Sequence, residues 1–245
     1  MANDSDNKQS NAKQLLKKIW KTSKRIFLWI FIFQLFYIIL LRWVNPPITM
    51  TQLVSWVSGH GLKRDYIGSN AIPSNAKLAV MASEDQLFPS HNGFDLKSIK
   101  KAMEFNEKET GRIRGGSTIS QQVAKNVFLW QGRSWIRKGL EVYFTFMIEV
   151  FWGKKRIMDV YLNVIEMGDG IFGIEMASQI YFNKPARNLT RQEAAMIAAC
   201  LPSPKRYKIK PLSSFVDRRS RAIMNQMDNI ELDPDIQRII KTRSL

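Results

Sequence analysis

Glu84 and Asp85 form an acidic pair at the end of an apolar stretch, and His91 and Gly93 follow in the segment Leu87-Phe88-Pro89-Ser90-His91-Asn92-Gly93. A carboxylate at the end of an apolar helix can act as a general base, because burial raises its affinity for a proton. On spacing alone, two acids at a helix end are more often solvated or capping groups. A second feature is the loop Gly111-Arg112-Ile113-Arg114-Gly115-Gly116, which leads into Ser117. Paired glycines admit close backbone approach and a helix start attracts anions, although the same residues also make an ordinary turn. Arg137 and Glu141 stand four residues apart, as do Gln121 and Lys125. On a helix each pair shares a face, so Arg137 and Glu141 are placed for a side-chain ion pair. No His/Cys cluster has the spacing of a zinc site.

Residues of this kind need rigid elements to hold them, and the chain reads as helix after helix with no sustained period-2 alternation. Ser74 is placed to cap a helix through Asn75 to Leu87, with Leu78, Met81 and Ala82 on one face; Asp95 caps another to about Asn106. Ser117 starts a third, whose Ile119, Val123, Val127 and Trp130 recur at spacings of four, four and three. The Gln121–Lys125 face adjoins that stripe, so Lys125 can line a cleft while the stripe packs inside. Ser134 to Phe151 carries Ile136, Leu140, Tyr143 and Met147 in the same manner, and Ile157, Val160, Tyr161 and Val164 mark a fifth helix. Thr190 and Glu193 make a capping box ahead of a very apolar helix. Two more helices are expected over Ser213 to Asp228 and Asp233 to Thr242. The fold class is mainly α.

The chain has 245 residues, 11% aromatics, a single cysteine and a formal net charge of +16. A balance this basic points to nucleic acid, an anionic lipid surface or a phosphate-bearing substrate. Cys200 lies in the apolar run Ala194 to Leu201 and reads as a small core residue. Ile26 to Val44 reads IFLWIFIFQLFYIILLRWV. As a helix this segment spans about 28 Å, close to the roughly 30 Å hydrocarbon core of a bilayer. Arg42, Trp43 and Asn45-Pro46-Pro47 follow it instead of the small residues of a cleavage site, so a retained anchor is expected. Upstream stand Lys8, Lys13, Lys17, Lys18, Lys21, Lys24 and Arg25 against Asp4 and Asp6, which places the N-terminus in the cytoplasm. The expected organisation is a cytoplasmic basic tail (1–25), a transmembrane helix (26–44) and an extracytoplasmic domain (45–245). A domain outside the cell membrane argues against nucleic acid as the partner.

Taken whole, Glu84 to Gly93 resembles the first motif of the peptidoglycan glycosyltransferases (family 51 of the glycosyltransferases), Glu-Asp-x-x-Phe-x-x-His-x-Gly. The family's Gly-Gly-Ser-Thr-Ile-x-Gln-Gln stands at Gly115 to Gln122, and its Arg-Lys-x-x-Glu at Arg137 to Glu141. Its Lys-x-x-Ile-Leu-x-x-Tyr-Leu-Asn stands at Lys154 to Asn163, with Met158 for the usual Leu and Asp159 for the usual Glu. The motifs keep the family's order over about Pro73 to Pro204, and the chain is most similar to the short monofunctional type of Gram-negative bacteria.

The resemblance implies a two-lobed, lysozyme-like helical glycosyltransferase domain behind the anchor. It implies polymerisation of lipid II with inversion, forming β-1,4 bonds and releasing undecaprenyl pyrophosphate. Glu84 then corresponds to the base, and Glu141 to the glutamate on the pyrophosphate side. Lys125 and Arg133 correspond to cations that contact pyrophosphate, and Ser117, Gln121 and Arg137 are further substrate-binding candidates. His91 is expected to fix its loop, and His60 is given no role. No tightly bound cofactor is expected; a divalent cation (Mg or Mn) has room at Glu141. Expected partners are lipid II, lipid-linked glycan, the membrane and cell-division or wall-synthesis proteins, with the domain on the periplasmic side of the inner membrane. Phe128, Trp130 and Trp135 would suit an interfacial position beside the cleft, or two helices packing through their ends. A lytic transglycosylase and a non-catalytic scaffold are the competing readings. The first needs no pyrophosphate cations, and the second predicts loss of Glu84 or Glu141. Ser98 and Lys101 make a Ser-x-x-Lys, but no Lys-Thr-Gly follows it, so no transpeptidase site is expected in these residues.

Overall fold

The computed structural model describes residues 2–108, 115–132 and 134–241, with side chains from residue 13 onward. The chain divides into two units, Met1–Val44 and Asn45–Leu245. The first is a single helix, α1 (Ala2–Leu40), closed by a turn. Its Lys13–Leu40 stretch is long and apolar enough to cross a membrane. Phe27 and Phe33 are each 71% exposed, a surface that water does not tolerate over such a length. The helix runs back through the basic tail, whose Lys and Gln are good helix formers, and stops at Leu40, short of the expected Val44.

The second unit is mainly α, as the periodicity predicts. In chain order it contains α2 (Met50–Val57), β1 (Lys63–Arg64), α3 (Ser74–Glu84), α4 (Leu96–Lys108), α5 (Ile119–Phe128), α6 (Trp135–Phe151) and α7 (Lys154–Val164). Then come β2 (Glu166–Gly168), β3 (Ile171–Phe172), α8 (Ile174–Phe182), α9 (Arg191–Cys200), α10 (Ser214–Ile230) and α11 (Pro234–Ile240). The three strands form a small sheet in the order β1-β3-β2, with β1 parallel and β2 antiparallel to β3. They are too short to show alternation in the sequence. Gly173 leaves the sheet with φ +83°, and a Cβ there would lie 2.5 Å from the Asn163 carbonyl oxygen. Only glycine fits at that point.

The helices pack in two groups that α7 joins. In one, α3 lies against α9, α10 and α11; in the other, α5 lies against α6 and α2. Every residue of α3 from Ala76 to Ala82 is buried. Its Ala76, Ala79 and Ala82 are buried, as are Ala194, Ala195 and Ala198 of α9, and small side chains let packed helices approach closely. Cys200 ends α9 inside this core, and burial pushes its thiol up to about 12. The Thr190/Glu193 capping box forms as expected.

Several details differ from the sequence reading. Ser74 does not cap α3; its hydroxyl donates to the Ile240 carbonyl at 3.0 Å, and α3 ends at Glu84, before Leu87. Thr118, not Ser117, caps α5, and Trp130 lies beyond that helix, 44% exposed. On α6 the buried face carries Glu141, Thr145, Met147 and Ile148, whereas Ile136, at the head of the expected stripe, is 75% exposed. The Asp233 helix ends at Ile240, and Thr242 lies outside the described residues.

One charged pair lies deep in the core. Lys77 of α3 and Asp159 of α7 meet at 3.5 Å with side chains only 3% and 9% exposed. Removing one partner of a buried pair leaves an uncompensated charge, whereas replacing both with apolar residues is often neutral. Lys77→Met should therefore lower stability by about 3 kcal/mol. Lys77→Met with Asp159→Leu should recover most of it, read as thermal denaturation of the purified protein in detergent.

Candidate active site

The site is built where α3 ends and α5 begins. Asp85 leaves helical geometry (φ −161°, ψ 82°) and turns its carboxylate to the first turn of α5. There it accepts the Ile119 N–H at 3.0 Å, satisfying a donor that a helix start leaves unpaired. His91 Nε2 donates to the same carboxylate at 3.0 Å, and its Nδ1 accepts the Gly93 N–H at 3.1 Å. The Thr118 hydroxyl donates to the Gly93 carbonyl at 2.7 Å. Gly93 has φ +89°, and a Cβ there would stand 2.7 Å from Thr145 Cγ2. Residues 85–93 are thus stitched to the head of α5, the loop-fixing role expected of His91.

Glu84, one residue earlier, is held by three side chains. Its Oε1 accepts from the Ser83 hydroxyl at 3.1 Å and lies 3.7 Å from Arg219 Nη2; its Oε2 accepts from Gln122 Nε2 at 3.1 Å. Gln122 is oriented in turn by the Tyr161 hydroxyl, which donates to Gln122 Oε1 at 3.1 Å. Burial, with the charges of Glu84 and Asp85, pushes the Tyr161 phenol well above its ordinary value, so it remains a donor. Glu84 keeps 14% of its side chain exposed, enough for access from one side.

The second centre lies on α6. Arg137 Nη1 donates to Glu141 Oε2 at 2.6 Å, and Lys138 donates to Oε1. Lys125 of α5 faces the same cluster: burial lowers its ammonium below the ordinary lysine value, Glu141 opposes this, and the charges of Arg137 and Lys138 add to it. Ser134, Trp135, Arg137 and Lys138 line an open cavity of about 280 Å³. Among the described residues, the buried side-chain atoms without a hydrogen-bond partner include Arg137 Nε and Arg219 Nε, unused donors at both centres.

Ser117 is exposed just before the α5 cap. The buried Gln121 is absorbed into that cap, its Oε1 accepting the Thr118 N–H at 3.0 Å; Gln122 is the residue that reaches Glu84. Arg133 lies outside the described residues. Phe128 packs inward, stacked on Phe144 at 4.6 Å, while Trp135 is 92% exposed. His60 pairs with Asp169 at 3.0 Å in another part of the domain. Both Glu141 oxygens face cations, and among the described residues no group of three or more His, Cys, Asp or Glu is placed to hold a metal ion. As these side chains stand, each Glu141 oxygen is already paired with a cation. Sequence reading missed Arg219. Its signal was positional: it stands three residues after Val216 and four before Ile223, both on the buried stripe of α10.

Buried charges of this density cost stability that apolar residues would not. Set beside an open cavity lined by Arg137 and Lys138, they mark a candidate functional site on a helical domain. The transglycosylase family profile matches residues 50–228. The biosynthetic peptidoglycan transglycosylases of Escherichia coli (strain Crooks), Shigella boydii serotype 4 (strain Sb227) and Escherichia coli (strain K12 / DH10B) are each 51% identical over 189 residues, covering 76% of this chain and 78% of theirs. The chain belongs to the transglycosylase family and is a glycosyltransferase.

Arg219 is a third exposed, and methionine keeps much of its length. Arg219→Met should reduce turnover about 10²-fold by letting Glu84 drift, with little change in KM or melting temperature. Arg219→Lys should restore part of the loss, and an unchanged turnover in Arg219→Met would show that the contact is idle.

Proposed function

We propose that this glycosyltransferase polymerises the glycan strands of peptidoglycan. It transfers a growing lipid-linked glycan onto the 4-hydroxyl of lipid II with inversion and releases undecaprenyl pyrophosphate. The observation that carries this reading is that Glu84 and Glu141 are held in unlike ways by elements that share α5. Glu84 has hydrogen-bond donors on both oxygens yet retains an open side, the condition for a base. Glu141 is saturated by Arg137 and Lys138 and so serves to position cations.

In this reading the acceptor's 4-hydroxyl proton passes to the Glu84 carboxylate. The oxygen bonds the donor's anomeric carbon from the face opposite the leaving group. The bond from that carbon to pyrophosphate breaks, and the charge that develops there is met by Lys125, Arg137 and Lys138, with Arg133 beside them in the chain. Ser117, exposed at the entry to α5, is assigned to the donor's phosphates, and Gln121 holds the cap of α5. No step is routed through a divalent cation. The basic residues ahead of Ile26 put the N-terminus in the cytoplasm, so that α1 crosses the inner membrane and residues 45–245 work on its periplasmic side. The exposed Trp135, Ile136, Phe146 and Val150 on α6 offer an apolar surface to the substrate's lipid tail. The relatives' shared name supports the substrate class.

The test is incubation of the purified chain with labelled lipid II in detergent. Long glycan should form, and Glu84→Gln should reduce it by about 10²–10⁴-fold. Release of anhydro-muropeptides from finished wall, with lipid II untouched, would instead identify a lytic enzyme. The lowered Lys125 adds a pH dependence. Its charge is lost at a lower pH than that of an ordinary lysine, so activity should fall early on the alkaline side. Lys125→Arg keeps the charge and should move the alkaline limb upward; a limb that stays in place would remove Lys125 from the donor site.

A further inference from the structure

Helix α2 has its polarity reversed. It buries Thr51, Gln52 and Ser55, and exposes Leu53 (36%), Val54 (38%), Trp56 (61%) and Val57 (76%). A helix on a water-facing surface does the opposite. Of the buried polar side-chain atoms, Gln52 Nε2 has no partner and the others are committed to the fold. The Thr51 hydroxyl donates to Asn126 Oδ1 at 2.7 Å and accepts from Gln131 Nε2 at 2.7 Å. Gln52 Oε1 accepts from the Tyr66 hydroxyl at 2.9 Å, and the Ser55 hydroxyl donates to the Gly61 carbonyl at 2.8 Å. With these bonds made inside, the helix cannot roll over to present its polar face without breaking them.

The chain itself limits what can cover the apolar face. Asn45 to Thr49 are the only residues between Val44 and the start of α2. An extended chain covers at most about 3.5 Å per residue, so α2 stays near a bilayer that α1 crosses. Little of that length is slack: Asn45 Oδ1 accepts from Arg156 at 2.9 Å, and the Pro47 carbonyl accepts from Arg64. Tryptophan beside Val and Leu is also the composition of a membrane interface.

We propose that α2 is an interfacial helix, its Leu53-Val54-Trp56-Val57 face embedded in the outer leaflet of the membrane that α1 spans. The proposal rests on the reading of α1 as that span. Its consequence is mechanical. Thr51 is bonded to Asn126 of α5, next to Lys125 in the chain, so the depth of α2 sets the height of α5 above the lipid.

The test uses the full chain in phosphatidylethanolamine/phosphatidylglycerol vesicles, with a nitroxide on Val57→Cys. Phe33→Cys supplies the reference within the span, and Leu232→Cys, 86% exposed, the aqueous one. The native Cys200, buried at the end of α9, is replaced by Ala in every labelled chain. Collisions with oxygen should exceed those with a water-soluble nickel chelate several-fold more at position 57 than at 232, approaching the ratio at 33. A ratio at 57 equal to that at 232, with 33 in lipid, overturns the proposal and leaves the anchor standing. Aqueous behaviour at both 33 and 57 overturns the anchor as well. A label at 57 shielded from both reagents, and freed by dilution in detergent, overturns lipid in favour of a protein partner.

Discussion

The rest of the site depends on the carboxylate of Asp85 at the head of α5. It ends one helix and begins another: its turn out of α3 leaves Glu84 as the last helical residue, and its bond to the Ile119 N–H fixes where α5 starts. A charge-assisted hydrogen bond at a helix N-terminus is stronger than a neutral one and gains further from the helix dipole. His91 holds the carboxylate from the other side, and Gly93 lets the loop close over Thr145. With the register of α5 set in this way, Gln122 meets Glu84 and Lys125 faces Glu141.

The charged groups divide by what holds them. Lys77 and Asp159 are closed on one another between α3 and α7 and have no access to substrate. Glu141 is buried yet bound to cations that reach a cavity, since Lys138 is 42% exposed. Among the described residues Glu84 has one cation partner, Arg219, at 3.7 Å, beyond hydrogen-bond distance, and neutral donors on both oxygens. The gradation from sealed pair to cation carrier to open carboxylate sorts structural charge from chemical charge without reference to motif. By that gradation Arg219 belongs with the proposed site, although it lies outside every motif in the sequence.

Much of this was legible in the chain. The capping pattern Thr190/Glu193, the Asp95 cap and the apolar period of α7 are local signals, and local signals survive folding. The misses came where a tertiary partner overrode a local preference. Ser74 looked like a cap, but the Ile240 carbonyl took its hydroxyl from far along the chain. Gln121 and Gln122 are adjacent and chemically identical, so only the cap geometry decides which one faces Glu84. Ile136 heads an apolar period on α6, yet periodicity cannot say whether an apolar face meets protein or lipid. The sequence reading passed over α2 altogether: the helix is short, and its polar residues rather than its apolar ones are the core face.

That reversal gives α5 a third duty. Along a ten-residue helix, Gln122 contacts the open carboxylate, Lys125 faces the cation cluster, and Asn126 bonds Thr51 of α2. Positions 122 and 126 are one turn apart on one face, with 125 beside them, so a shift of α5 along its axis moves all three contacts together. A substrate carried on a lipid presents its reacting carbon at a height the bilayer sets, not the enzyme. An enzyme for such a substrate must refer its reactive groups to the membrane through few and stiff links. Reference through a long loop would spread the position of Glu84 over several ångströms, where misplacement by about 1 Å already costs rate heavily. The buried bond from Thr51 of α2 to Asn126 of α5, the helix that carries the site, is a short and stiff link of that kind.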